Sequence, residues 1–231
     1  MSVNYRRQLG FYDPNEHKSD RVSIIGLGGI GSFTSFGIAK LGVPNITIMD
    51  DDTVEDHNVP NQFHSLEQVG WGKAEASAST LMEYAGADTN WLTGRITKDG
   101  FNGEGEWNPR GLVISGVDSM SSRKDIWRNG NIKHNHRVKQ YIDARIAGQL
   151  IVIYSVNPMD ADDVSSYEKT LHSDGEAVAA PCTERGVIDV GLAVAAILTN
   201  MTRKFLTGEG IASVTTMNMD GLVLGHGDWI L

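Results

Sequence analysis

The sequence predicts an α/β fold with a Rossmann-like, doubly wound, mostly parallel sheet and helices on both faces. Short apolar stretches alternate with stretches of helical periodicity, and a glycine-rich turn joins the first apolar stretch to the first helix. Because neighbouring parallel strands need long crossovers that are usually helical, this alternation is typical of α/β domains. We expect one domain over residues 1–231, with an irregular arm at residues 1–20. Its C-terminal third is expected to be irregular and to include a crossover segment at residues 157–180.

The first strand, helix and strand follow one another within residues 21–50. Residues 21–25 and 45–49 are short apolar runs, and residues 32–41 have the spacing of a helix that packs on one face. Residues 51–70 are polar and irregular, which predicts a surface segment. Further along, the patterns predict helices at residues 71–85, 119–129 and 183–206, strands at 89–96, 111–115, 140–144 and 149–156, a flexible loop at 98–109, and a closing hairpin of 211–214 and 222–224.

The turn after the first strand predicts a nucleotide site. Gly26, Gly28, Gly29 and Gly31 permit a sharp turn and the close approach of backbone to a phosphate, and the start of the following helix favours an anion. Asp50 ends the second strand, where a carboxylate can accept hydrogen bonds from ribose hydroxyls. A plain strand-to-helix turn is the alternative, but the strand, turn, helix, strand and acid occur here in the order that nucleotide-binding folds require.

Composition excludes several classes of function. The net charge is −9, with no long run of one sign, so nucleic acid is not expected as a main partner. Cys182 is the single cysteine, which excludes an internal disulfide and favours a cytoplasmic, reducing setting. The longest apolar run, residues 187–198, is too short to cross a bilayer, so we expect a buried helix and no membrane association.

Several segments carry a family signature in the same order along the chain. Residues 50–62 read D-D-D-T-V-E-D-H-N-V-P-N-Q, residues 5–8 read Y-R-R-Q, residues 72–73 read G-K, residues 117–123 read V-D-S-M-S-S-R, and residues 181–186 read P-C-T-E-R-G. Together they resemble the ThiF/MoeB/ubiquitin-activating enzyme family of adenylyltransferases, in the compact, zinc-free form found in bacteria and mobile elements. The resemblance covers residues 5–125 and resumes at residue 181.

The resemblance implies an enzyme that uses ATP and Mg²⁺ to adenylate a carboxylate, with release of pyrophosphate. The substrate it implies is the C-terminus of a ubiquitin-like or sulfur-carrier protein with a glycine tail, and the assembly it implies is a homodimer. A related alternative is adenylation of a small carboxyl group, as in the tRNA-modifying cyclic-threonylcarbamoyladenosine dehydratases. The acidic net charge does not favour that tRNA substrate.

The matching motifs assign roles to individual residues. Lys73 is expected to bind the ATP phosphates, and Asp118 to bind Mg²⁺, which prefers carboxylate and phosphate oxygens. Arg7 is expected to reach the phosphates in the partner subunit. Asp52, Asn58 and Gln62 complete the expected nucleotide-binding set. Two alternatives remain open: Lys73 as a solvated helix residue, and Asp118 as a helix cap.

The sequence departs from the family pattern at two points. Asn61 stands where the signature has an arginine, so either Arg6, Arg123 or Arg145 supplies the missing charge, or adenylation is weakened or lost. The paired C-x-x-C motifs of zinc-binding members are absent, and two nearby histidines, at residues 134 and 136, cannot replace them; we expect no zinc.

Two further sets of residues have open alternatives. Cys182 precedes the long apolar helix, and a helix start favours a thiolate. The thiolate could accept the activated acyl group; alternatively, Cys182 could be a small buried residue. Arg185 could stabilise that thiolate or lie on the surface. Asp143 and Arg145 could line the site for the incoming carboxyl tail or form a structural salt bridge.

The leading hypothesis is therefore an ATP-dependent adenylyltransferase. One alternative is a catalytically degenerate scaffold subunit, which Asn61 would mark. Another is a nicotinamide-dependent oxidoreductase, since many glycine turns of this kind bind NAD. Neither a Tyr-x-x-x-Lys motif nor a histidine–carboxylate pair for proton transfer is evident, so the oxidoreductase is the weaker alternative.

Overall fold

Nine strands form one sheet in the part of the chain that the structure, a computed structural model, describes: residues 3–172 and 187–229. The strands are β1 (Val22–Ile25), β2 (Ile46–Asp50), β3 (Asn90–Thr97), β4 (Gly100–Gly103), β5 (Gly111–Ser115), β6 (Val138–Ala147), β7 (Leu150–Val156), β8 (Val214–Asn218) and β9 (Val223–Gly227). The helices are α1 (Gly31–Leu41), α2 (Lys73–Ala85), α3 (Met120–Asn129), α4 (Ala161–Lys169) and α5 (Ile188–Leu206).

The order of the strands confirms the predicted doubly wound fold. The sheet runs β4-β3-β2-β1-β5-β6-β7-β8-β9, and its central strands β3, β2, β1, β5 and β6 are parallel. Strand β1 pairs with β2 on one side and with β5 on the other, so the chain reverses its direction of travel across the sheet at β1. In open α/β sheets, ligands bind at the carboxyl ends of the strands that flank such a switch point.

Two hydrophobic cores cover the two faces of the sheet. All four residues of β1 are buried, and Ile24 packs in the core that contains α1, α2 and α5. Its neighbour Ile25 packs in the other core, against residues of α3 and α4 such as Trp127 and Tyr167. Successive residues of a strand point to opposite faces, so a strand buried on both faces is continuously apolar.

Three sequence predictions are wrong in part. The segment 98–109, predicted as a flexible loop, contains β4, which pairs antiparallel with β3. The crossover segment 157–180 contains α4, where the Asp160 side chain accepts hydrogen bonds from the backbone N–H groups of Asp162 and Asp163. The closing hairpin is longer than predicted and lies further along the chain, because pairing with β7 extends β8 to Asn218.

The described part of the N-terminal arm contains a short 3-10 helix, Pro14–His17, and packs beside the C-terminal end of α1. The Gln8 Nε2 donates to the Leu41 carbonyl at 2.7 Å. The ring of Tyr5 lies 2.7 Å from the point that a Cβ on Gly42 would occupy, and Gly42 has a φ of +89°. No helix in the described ranges is long and apolar enough to cross a membrane.

Candidate active site

The glycine turn lies at the switch point and depends on two of its glycines for close packing. A Cβ on Gly31 would lie 1.8 Å from the Gly26 carbonyl oxygen, so α1 begins directly against the end of β1. Gly26 has a φ of +85°, and a Cβ there would lie 3.1 Å from the Cγ1 of Val117. The turn after β1 therefore contacts the turn after β5.

The other two glycines leave a surface beside the start of α1. The nearest atom to a Cβ on Gly28 would be the Nε2 of Gln62, 3.9 Å away, and a Cβ on Gly29 would lie 3.3 Å from the Asn61 carbonyl oxygen. The first turn of α1 carries no acidic residue. The backbone dipoles at a helix start favour an anion, so this surface suits a phosphate.

Asp50 anchors the glycine turn. Its Oδ2 accepts the Leu27 N–H at 2.6 Å, and its Oδ1 accepts the Asp52 N–H at 2.8 Å. Burial raises the pKa of the Asp50 carboxyl; the two backbone hydrogen bonds and the charge of Lys73 oppose that shift only in part. Each carboxylate oxygen has two acceptor sites, so Asp50 retains capacity for a further donor.

Lys73 is buried, which excludes the interpretation of a solvated helix residue. Only 7% of the residue is exposed, and its Nζ lies 3.1 Å from the Oδ2 of Asp52. Its backbone N–H donates to the Asp52 carbonyl at 2.9 Å, so the start of α2 is fastened to the segment after β2. The tertiary structure thus holds the ammonium group beside Asp50 and Asp52.

Asp118 is exposed in the turn between β5 and α3, and it is not the cap of that helix. The cap is Ser119, whose Oγ accepts the Ser122 N–H at 3.1 Å. Asp118 directly follows Val117, the residue that contacts Gly26. The carboxylate therefore belongs to the same edge of the sheet as the glycine turn.

The segment after Asp52 divides its polar residues between two roles. The Asn58 Oδ1 accepts the Glu55 N–H at 3.1 Å in a short 3-10 turn, so this oxygen stabilises the segment itself. By contrast, the buried oxygens Asn61 Oδ1 and Gln62 Oε1 have no hydrogen-bond partner among the described residues. Buried polar atoms normally have partners, so these two atoms beside the glycine turn suit a ligand.

Arg7 is not brought to this site within its own chain. It is exposed in the N-terminal arm, one residue before Gln8, which binds the last residue of α1. The glycine turn lies at the other end of α1, about 16 Å away for an 11-residue helix. Arg6 is exposed in the same arm, so it does not replace the charge that Asn61 lacks.

Arg123 and Arg145 do not replace that charge either, because both bind Asp143. This carboxylate is fully buried; its Oδ1 accepts from the Arg123 Nε at 3.1 Å, and its Oδ2 accepts from the Arg145 Nε at 2.7 Å and the Tyr167 hydroxyl at 3.0 Å. Burial, followed by the charge of Asp143, raises the pKa of Tyr167 well above its usual range. The geometry supports the structural salt bridge over the tail-binding alternative.

Two residues at the site were missed by the sequence analysis. His64 is buried, with its Nε2 3.3 Å from the Leu27 carbonyl oxygen, and burial lowers its pKa. Gly191, in the first turn of α5, lies so close to the glycine turn that a Cβ would be 2.9 Å from the Gly29 carbonyl oxygen. Neither residue belongs to a motif, so no local signal identifies them.

Three consecutive carboxylates lie at the end of β2. Oxygens of Asp50, Asp51 and Asp52 lie within 4.8 Å of one another, a spacing that a cation can bridge; Arg95 binds Asp51 and Lys73 binds Asp52. Cys182 and Arg185 lie outside the described residues.

The turn at the switch point of this sheet places the chain in a class of protein: doubly wound α/β domains, in which ligands bind at the carboxyl ends of the strands. Within that class the chain belongs to the ThiF family, which it matches over residues 5–223. The family and the fold predicted from the sequence are both confirmed.

The most similar sequences include enzymes that activate ubiquitin-like modifiers. Ubiquitin-like modifier-activating enzyme 5 of Aedes aegypti is 28% identical over 215 residues, which are 83% of this chain and 52% of that enzyme. The enzyme of the same name from Dictyostelium discoideum is 29% identical over 216 residues, 83% of this chain and 54% of the enzyme. The chain thus spans about half the length of these relatives.

Solved structures share the fold at lower identity. E. coli MccB with ATP superposes with a TM-score of 0.69 at 19% identity, over 94% of this chain and 65% of MccB. MccB in complex with N-formylated MccA has a TM-score of 0.67 at 17% identity, over 94% of this chain and 66% of MccB.

Proposed function

We propose that this protein uses ATP to adenylate a carboxylate, the C-terminus of a ubiquitin-like or sulfur-carrier protein with a glycine tail. One observation carries the proposal: the glycine turn, buried Lys73 and exposed Asp118 converge on one edge of the sheet. The relatives named for activating ubiquitin-like modifiers, and the complexes of MccB with ATP and with MccA, support the reaction class and a protein or peptide substrate.

The triphosphate is proposed to bind over Gly28 and Gly29, beside the start of α1. The part-exposed backbone of these glycines at the start of α1 fits a phosphate there. The unpartnered oxygens of Asn61 and Gln62 are acceptors, so they suit a donor group of a ligand and not its phosphates. Lys73 supplies the positive charge, and Asp50 accepts hydrogen bonds from the ribose. Asp52 and Asn58 stabilise this arrangement through Lys73 and the Glu55 turn, respectively.

In the proposed reaction a substrate carboxylate oxygen attacks the α-phosphorus of ATP. A new P–O bond forms, the bond to the bridging oxygen breaks, and its electron pair leaves with pyrophosphate; the product is an acyl-adenylate. Two anions must approach each other, so the site has to supply positive charge where charge accumulates. Lys73, whose ammonium group is held beside Asp52, is proposed to supply this positive charge.

The residues present also fit Mg²⁺. Asp118 offers an exposed carboxylate beside the proposed phosphate site, and Mg²⁺ is commonly held by one or two carboxylates together with substrate phosphates. When bound, the ion would neutralise phosphate charge and favour departure of pyrophosphate. Zinc is not part of the proposal.

Two parts of the proposal concern other segments of the chain. Arg7 is proposed to reach the ATP phosphates of a partner subunit in a homodimer, since it lies far from the glycine turn of its own chain.

Cys182 is proposed, from the sequence alone, to attack the acyl-adenylate as a thiolate, forming a thioester and releasing AMP. A non-reducing gel that compares the protein with Cys182→Ala tests this step through loss of a reducible conjugate.

The deciding experiment is ATP–pyrophosphate exchange with a ubiquitin-like protein that ends in Gly-Gly. We expect exchange with the wild type and its loss in Asp118→Ala. Nucleotide binding without exchange would instead support the scaffold alternative, for which Asn61 is the specific observation. A melting temperature raised by NAD but not by ATP would overturn the proposal in favour of an oxidoreductase, because a ligand of the folded state stabilises it.

A further inference from the structure

The turn that carries Asp118 is held on two sides. On one side, the Val117 Cγ1 lies 3.1 Å from the point that a Cβ on Gly26 would occupy, so the two turns pack together. On the other, the backbone carbonyl of Val117 accepts a hydrogen bond from the NH2 group of Arg123. Arg123 lies one turn into α3, so its guanidinium reaches back to the residue immediately before Asp118.

The orientation of Arg123 depends in turn on Asp143. The Arg123 Nε donates to the Asp143 Oδ1 at 3.1 Å, and its NH2 group also lies 3.4 Å from the Ala144 carbonyl oxygen. The planar guanidinium is therefore fixed at several points at once. A guanidinium can do this because its donors lie in a rigid fork, whereas an ammonium group is a single point charge.

The network of Arg123 and Asp143 is buried, so a ligand in solution does not reach it. The Arg123 side chain is 6% exposed and Asp143 is fully buried. A buried carboxylate is costly unless it is paired, and here both oxygens are occupied by Arg123, Arg145 and Tyr167. Arg123 therefore has no surface from which to bind a phosphate, and its position serves the turn that precedes α3.

We propose that Asp143 and Arg123 are positioning residues for the metal-binding carboxylate: Asp143 orients Arg123, and Arg123 fixes the Val117 carbonyl and hence the placement of Asp118. This inference rests on the proposed function. It assigns to Arg123 and Asp143 a role in Mg²⁺-dependent nucleotide binding, although neither residue touches the nucleotide or the ion.

The protein contains a matched control for this proposal. Arg145 binds the same carboxylate through its Nε and NH2 groups, but its NH1 and NH2 groups also donate to the Thr170 carbonyl at 3.0 Å and the Thr170 hydroxyl at 2.9 Å, beyond the end of α4. Arg123→Lys and Arg145→Lys each preserve a charge beside Asp143 and each lose a fork. Only Arg123→Lys removes the guanidinium that binds the Val117 carbonyl in the turn that carries Asp118.

The experiment measures binding of α,β-methylene-ATP, which is not cleaved at the α-phosphate, with and without Mg²⁺. For Arg123→Lys we expect the Mg²⁺-dependent gain in affinity to fall by about tenfold, the equivalent of one charge-assisted hydrogen bond. Affinity without Mg²⁺ should stay within about twofold, and Arg145→Lys should keep the wild-type gain although it also lowers the melting temperature.

Other outcomes have separate meanings. Equal loss of the Mg²⁺ gain in both variants, or no loss in Arg123→Lys, overturns the positioning role, because it reduces the network to general stability. A wild type that does not bind the analogue overturns the proposed function, and the positioning role with it. If Arg123→Lys does not fold, Arg123→Gln replaces it: glutamine has no guanidinium fork, but Asp143 stays paired with Arg145 and Tyr167, and a loss of about tenfold in the same gain is expected.

Discussion

The backbone N–H of Leu27 donates to the Asp50 Oδ2 at 2.6 Å, and this bond joins the glycine turn after β1 to the end of β2. The Leu27 carbonyl faces the His64 ring on its other side. The backbone of Leu27, at the start of the glycine turn, is therefore held at both its N–H and its carbonyl by side chains from different segments. Because Asp50 is also the residue proposed for the ribose, changes at Asp50 should affect the turn and the nucleotide together.

We expect Asp50→Asn to lower ATP affinity by about tenfold and to lower the melting temperature. Asparagine has one acceptor oxygen, so it cannot accept both the Leu27 and the Asp52 N–H groups as the carboxylate does. Isothermal titration with ATP measures the affinity. Asp51→Asn is the control, since Asp51 binds Arg95 instead; similar losses in both variants would contradict the role of Asp50.

Lys73→Met should reduce ATP–pyrophosphate exchange by about a hundredfold, because it removes the buried cation proposed to stabilise the developing phosphate charge. Methionine retains most of the length of the side chain. Lys98→Met, at an exposed position, is the control and should exchange at the wild-type rate. Normal exchange in Lys73→Met would remove Lys73 from the catalytic set.

The buried His64 should make stability depend on pH. Burial lowers its pKa in the folded state, so the unfolded chain binds the proton more readily. The contribution of neutral His64 is therefore complete above the unfolded pKa of about 6.5 and is lost as the pH falls through the folded pKa.

Urea unfolding at several pH values between 7.5 and 5 measures this effect. The wild type should lose stability relative to His64→Gln as the pH falls, since glutamine does not ionise. The exposed His136→Gln serves as the control and should follow the wild type. Parallel curves for wild type and His64→Gln would refute the prediction.

Gly191→Ala should destabilise the protein by about 1–3 kcal/mol and weaken ATP binding, because its Cβ would lie 2.9 Å from the Gly29 carbonyl oxygen and displace the glycine turn or α5. Chemical denaturation and ATP titration measure the two effects. Gly210→Ala is the matched control, because nothing lies within 4 Å of its Cβ position. Equal behaviour of the two variants would exclude a supporting role for α5.

Arg7 can be tested by mixing two inactive variants. If Arg7 acts across a homodimer, Arg7→Ala mixed with an equal amount of Lys73→Met forms heterodimers in which one of the two sites is intact. Random pairing then restores about a quarter of wild-type exchange. The Arg7→Ala/Lys73→Met double variant mixed with Arg7→Ala should restore none; absence of restoration in the first mixture would refute action in trans.

Much of the fold follows from local patterns. The glycine turn, the β1–α1–β2 unit and the central parallel strands were predictable, because burial on both faces makes such strands continuously apolar. The crossover helix α4 is not evident from the sequence. Its buried residues Val164 and Tyr167 are spaced for one helical face, but the acidic residues of its first turn give the segment a polar pattern. Strand β4 is short and glycine-rich, and pairing with β3 is what makes it a strand.

In the candidate site, too, some features follow from local sequence and others only from the tertiary structure. Glycine spacing and the acid at the end of β2 located the turn that Asp50 holds, since a turn forms between residues that are adjacent along the chain. The partners of the charged side chains lie far apart in sequence, so local pattern could not assign them. Lys73 alone is compatible with a solvated helix face until its contact with Asp52 is known, and Asp118 with a helix cap until Ser119 is seen in that position.

By itself, then, the sequence determined the class of fold, the family and the location of the glycine turn, because periodicity and turn chemistry act between near neighbours. The tertiary structure alone decided which partners the ionisable groups have. It assigned Arg123 and Arg145 to Asp143, and it kept Arg7 away from the glycine turn of its own chain. The physical reason is that a buried charge must be paired, and the identity of its partner depends on how the strands and helices pack.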